Sequence, residues 1–158
     1  METRYLDITL FAGNFGFFST AYTIIPAGTK ITAMPTHDKN TEYERYANDY
    51  DIHFIFEDNL PTLNIYTVPA VEVFAHDRSG GLFGQIYTDL ENHSFPIIYI
   101  NTKNESFLVA ESIEYFLQIA SVWTQHLIPI HLTCYPSKMA AENELHFLDT
   151  STIQTLLP

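Results

Sequence analysis

A chain of 158 residues fits one domain, read as a single unit over 1–158, and is long enough to bury a sizeable core. Its 46% hydrophobic content, with 12 Phe and 10 Tyr, argues against a disordered chain. The 19 acids against 7 bases leave a formal net charge of −12, which opposes binding to nucleic acid or an anionic membrane. It favours a basic protein partner, or it serves solubility alone.

Residues 1–35 are apolar and β-rich. "RYLDITLFAG", "NFGFFSTAYTII" and "PAGTKITAM" read as short strands, punctuated by Gly13, Gly16 and the Pro26–Gly28 pair. "HDKNTEYERYANDYD" is polar and acidic. Its Tyr43, Tyr46 and Tyr50 fall at i, i+3, i+7, which predicts a short helix. "YDIHFIFED" alternates and predicts a strand, and "LNIYTVPAVEVFAHD" another, with a bend or edge at Pro69. "LFGQIYTDL" returns after "SGG", "ENHS" turns again, and "FPIIYIN" is a compact buried strand. Strands joined by such short turns predict an antiparallel meander.

The period then changes. Ile113, Phe116, Leu117, Ala120, Trp123 and Leu127 form a helical stripe that predicts one helix over Ser112–Leu127. Ser112 is placed to cap it, Glu111 and Glu114 sit by its positive end, and Pro129 stops it. "PIHLTCY" reads as a further strand. "PSKMAAENELHFLD" reads as a second helix, with Ser137 as its cap. The expected class is α+β: a twisted, mostly antiparallel sheet with the C-terminal helices packed on one side.

The stretch with the most chemistry on its face is "FAHDRSGGLFG", residues 74–84. It lacks the lysine and the following helix of a phosphate loop, and the spaced glycines of a dinucleotide loop. His76 and Asp77 are adjacent on a strand, so they point to opposite faces and rarely share an ion. The reading is a tight hairpin, with Ser-Gly-Gly supplying positive φ and Asp77 bonding turn amides. The seven histidines include no zinc-hydrolase spacing. Cys134 near His131 lacks the elbow or helix N-terminus of a catalytic thiol and reads as a partly buried cysteine. A lone cysteine excludes an intramolecular disulfide and points to a reducing compartment. No apolar run approaches the ~20 residues that cross a bilayer. "METRYLDITLF" lacks the layout of a secretion signal. A cytoplasmic location is therefore expected, and the glycosylation-type triplets at Asn92 and Asn104 are chance matches. No metal and no cofactor are expected.

The acidic segment from Asp38 to Asp58 carries Asp38, Glu42, Glu44, Asp49, Asp51, Glu57 and Asp58 against Lys39 and Arg45. Acids around aromatic anchors suit contact with a basic protein, because tyrosines supply contact energy and charges speed encounter. The candidate contact residues are Tyr43, Glu44, Tyr46, Asp49, Tyr50, Asp51, Glu57 and Asp58. The competing reading is a solvated helix face whose tyrosines pack down on the sheet.

"TVPAVEVFAHDRSGGLFGQIY" resembles the central hairpin of the SUKH superfamily, the bacterial toxin-immunity proteins related to a fungal cell-wall synthesis regulator. "FPIIYIN" and "FLVAESIEYFLQI" resemble its later part. The matched positions are Phe74, Ala75, Asp77, Gly80, Gly81, Ala110, Glu111, Ser112, Phe116 and Leu117, within about residues 64–120. The family starts with a helix, whereas this chain starts strand-like. The resemblance implies a non-enzymatic protein that neutralises a toxin, often a nuclease, by direct contact, and carries over no catalytic residue. The expected partner is a basic cognate toxin, with the chain a monomer or weak homodimer. The rivals are a self-associating scaffold domain and a small hydrolase using a cleft histidine, His53 or His131.

Overall fold

The computed structural model describes residues 2–10, 22–86 and 95–148. In chain order these form β1 (Glu2–Asp7), β2 (Tyr22–Ala27), β3 (Thr29–Ile31), α1 (Thr41–Tyr50), β4 (His53–Phe54), β5 (Tyr66–Val68) and β6 (Val71–His76). There follow β7 (Leu82–Ile86), β8 (Ile97–Ile100), β9 (Ser106–Ala110), α2 (Ile113–Ile119), β10 (Ile128–Pro129), β11 (Thr133–Tyr135) and α3 (Lys138–Glu144). The class is α+β. The predicted segments "NFGFFSTA" and "ENHS" and the Gly13 and Gly16 turns lie outside the described residues.

Strands β6, β7, β8 and β9 make the expected antiparallel meander, and β10 extends it beyond β9. The other edge belongs to β6 and is shared. Its Val71–Val73 half pairs in parallel with β3, and its Ala75–His76 end pairs antiparallel with β4. Two small pairs stand apart: β1 with β2, parallel, and β5 with β11, antiparallel. The chain thus changes sheets between β5 and β6, at the bend predicted for Pro69.

Strand β8 shows why the sheet is stable. Its four residues are all buried because both faces are covered. Ile97 and Tyr99 join Phe83, Phe116 and Trp123 under α1 and α2. Ile98 and Ile100 join Val71, Val73, Ile55 and Leu132 on the opposite face. A third cluster holds α3 to the small sheets through Ala27, Tyr66 and Ala141. Asp7 is buried beside it. Its carboxylate meets Lys138 Nζ at 2.5 Å and accepts from the Thr9 hydroxyl at 2.6 Å and the Thr9 amide at 3.0 Å. Burial pushes this carboxyl up, and the bonds from Lys138 and Thr9 outweigh it, leaving it below its ordinary range. Burial and then the Asp7 charge push the neighbouring Tyr66 phenol far up, so it stays neutral.

The 74–84 stretch is the β6–β7 hairpin. Only Gly80 of the glycine pair has positive φ, at +97°. Gly81 is needed for a different reason: a Cβ there would come within 2.5 Å of the Tyr99 ring. Asp77 organises the turn. Its Oδ1 accepts from the Gly81 amide at 2.8 Å and the Ser79 hydroxyl at 2.7 Å, and its Oδ2 accepts from the Tyr99 hydroxyl at 2.5 Å.

Four expectations need correction. The helix predicted over Ser112–Leu127 is capped by Ser112 as expected, but its α-helical part ends at Ile119. A 3-10 segment continues over Ala120–Gln125, broken by non-helical geometry at Val122. Over 50–58 the regular strand shrinks to β4: past its pairing with Ala75 and His76 the chain keeps one bond to β6, from the Ile55 amide to the Phe74 carbonyl, and then bridges Met34 through Phe56. "LNIYTVPAVEVFAHD" is two strands in two sheets, not one. The predicted C-terminal helix is present as α3, with the Ser137 side chain accepting from the Ala140 amide, but it ends at Glu144: Leu145 is extended and Phe147 bridges Tyr5 of β1.

Candidate functional site: an acidic helix beside an aromatic groove

Helix α1 is started by Asn40, whose side chain accepts from the Tyr43 amide at 3.2 Å, with Glu42 and Glu44 in the first turn at the positive end. It ends at Asp51, which takes a left-handed φ of 58° while its amide donates to the Tyr46 carbonyl. The tyrosine stripe faces the sheet. Tyr43 meets the Phe54 and Phe56 rings edge-on at 5.1 and 5.5 Å. Tyr46 meets Phe54 at 5.6 Å and is buried, and Tyr50 is half-buried against it. Burial first, then Glu42, pushes the Tyr46 phenol up. The Trp123 indole N–H donates to the Tyr50 carbonyl at 2.7 Å and fastens the end of the helix to the core.

The eight sequence candidates therefore separate. Tyr46 and Tyr50 are largely packing residues, and the half-buried Tyr43 lines the groove described below. Asp51 is occupied at the hairpin: it accepts from the Arg78 amide at 3.0 Å and lies 3.0 Å from His53 Nε2. Asp58 is paired with Lys39 at 2.5 Å, and that bond lowers its carboxyl. Both bases of the segment are thereby engaged, since Arg45 bonds Glu42 at 2.6 Å and has its guanidinium held further protonated by it. Glu44, Asp49 and Glu57 are exposed and form no ion pair among the described residues.

Beside this helix the sheet is incompletely covered. A groove of about 530 Å³ runs between α1 and α2. Glu72 and Phe74 of β6 and Gln85 of β7 form its floor, Tyr43 and Tyr46 one wall, and Ile113 and Leu117 the other. Thr32 and Met34 close the β3 end. Among the described residues Glu42 and Glu72 are the charged ones lining it, and no Lys, Arg or His does. Sequence reasoning missed Glu72, Thr32 and Gln85. They lie far apart in the chain and meet only through the β3–β6 and β6–β7 pairings.

The remaining chemistry is sparse. His53 stacks on His76 at 5.2 Å across the β4–β6 pairing. Burial pushes the half-buried Cys134 thiol up, away from the nucleophilic form. Among the described residues no three His, Cys, Asp or Glu side chains are grouped to hold a metal ion, and no helix is long and apolar enough to cross a membrane. Compared with family models, with curated proteins and with solved structures, the chain finds no match.

Proposed function

We propose that this chain is an immunity-type binding protein of the cytoplasm that neutralises a basic, nuclease-like toxin by direct contact. One observation carries the reading: helix α1 bears the exposed Glu44 and Asp49, which form no ion pair among the described residues, and also walls an acid-lined aromatic groove. Exposed carboxylates raise the encounter rate with a basic surface, and an aromatic recess supplies the apolar contact that slows release. The net charge of −12 and the resemblance of residues 64–120 to the SUKH hairpin and helix support the same reading.

The test is capture from source lysate at low and at moderate salt, with Glu44, Asp49 and Glu57 changed together to lysine as the comparison. Asp51 is left intact because it organises the hairpin. The expected result is one basic partner, held at low salt, weakened by salt and lost by the triple variant. Capture that ignores both salt and charge reversal would remove charge-guided recognition.

The hydrolase reading has one contact in its favour, the 3.0 Å approach of His53 Nε2 to Asp51. That pair lies outside the groove lining, with His53 stacked on a second imidazole.

A further inference from the structure

We infer that the groove between α1 and α2 is a receptor for a single arginine side chain presented by the protein partner; this rests on the binding reading above and names the anchor it uses. The floor is the reason. Glu72 is half-buried, yet among the described residues it forms no ion pair. Its hydrogen-bond partner is a neutral one, the Thr32 hydroxyl at 3.2 Å from Oε2. Lys30 is its register partner on β3, but Lys30 is not part of the groove lining. The carboxylate is accessible from the groove, and a cation entering there would gain a charge-assisted pair that the Thr32 hydroxyl does not supply.

The surroundings specify which cation. Phe74 and Tyr43 line the same recess and offer ring faces and edges to a flat, weakly hydrated group. A guanidinium can lie on a ring and still present two parallel N–H donors to one carboxylate, whereas an ammonium is a strongly hydrated point charge. Ile113 and Leu117 on the facing wall suit the three-methylene stem of arginine. Leu117 is 40% exposed, a large apolar side chain at the mouth with room to be covered.

The probe is Nα-acetyl-arginine N-methylamide, with the citrulline analogue as its uncharged isostere and the lysine analogue as the second cation. Each is titrated into the full chain while methyl and aromatic NMR signals are followed. The expected result is saturable shifts at Leu117, Ile113 and Phe74 for arginine, with Kd on the order of a millimolar, as befits so small a ligand. Lysine should bind about tenfold more weakly and citrulline not measurably, a preference that follows from bidentate pairing. Glu72→Gln, an isosteric change at a half-exposed position, should keep the melting temperature and weaken arginine about tenfold. No saturable shift, equal shifts with citrulline, or an unchanged Kd in Glu72→Gln each overturns the inference. If the probe fails while capture still depends on Glu44, Asp49 and Glu57, the groove assignment falls and the binding reading stands. If the probe binds and no partner is captured, the reverse holds.

Discussion

Replacing Asp77 by alanine is expected to lower the unfolding free energy by about 2–5 kcal/mol, the cost of leaving two buried donors without their acceptor. Asp77 is 6% exposed, and its two oxygens accept from the Gly81 amide, the Ser79 hydroxyl and the Tyr99 hydroxyl. In the alanine variant the Tyr99 hydroxyl and the Gly81 amide lose their acceptor in a dry setting, and each such loss costs about 1–3 kcal/mol. Asn, which keeps one acceptor oxygen, should cost less than alanine. Urea unfolding followed by tryptophan fluorescence measures the difference.

The same residue predicts a pH dependence. Burial raises the Asp77 carboxyl, but the bonds from Ser79, Tyr99 and Gly81 more than reverse this, so its folded pKa lies below the ordinary 3.8. A lowered carboxyl contributes stability that is fully present above the unfolded value of about 3.9 and is lost as pH falls through the folded one. The gap in stability between wild type and Asp77→Asn should therefore be constant above about pH 5 and shrink below pH 4. Burial and the Asp77 bond push Tyr99 up to about 12, so the phenol remains the donor throughout that range.

The second large effect belongs to Trp123. Its ring meets Phe83 edge-on at 4.8 Å and Tyr99 at 5.0 Å, and its N–H holds the last carbonyl of α1. Trp123→Ala is expected to cost about 3–5 kcal/mol through the cavity it leaves. Trp123→Phe keeps most of the packing and loses the hydrogen bond, which is worth about 1 kcal/mol. The alanine variant should also weaken partner capture more than its residual fold content explains, since the acidic helix is then released at Tyr50. Parallel measurement of stability and capture separates the two effects.

The hairpin, the meander and the two serine caps were readable because each depends on neighbours in sequence: turn glycines, alternation, a hydroxyl before a helical run. The split of the Ser112–Leu127 helix was not. A 3-10 segment brings every third residue to one side, so buried Ala120 and Trp123 fit either period over so short a stretch. The tyrosines of α1 were ambiguous for a related reason. The spacing that would present Tyr43, Tyr46 and Tyr50 to a partner equally presents them to the sheet, and the sheet took Tyr46. Asp51 looked like one more surface acid because nothing in the sequence marks its left-handed backbone. The groove was hidden most deeply. Its floor depends on a parallel β3–β6 pairing across about forty residues, which no local pattern encodes.

The proposal that this chain neutralises a toxin is tested most directly in growing cells. The captured partner is expressed alone, with the wild-type chain, and with the Glu44, Asp49 and Glu57 lysine variant. The account predicts that the partner alone arrests growth, that the wild-type chain restores it, and that the variant, folded to the same melting temperature, does not. A partner that is harmless alone, or growth restored equally by the variant, would contradict it.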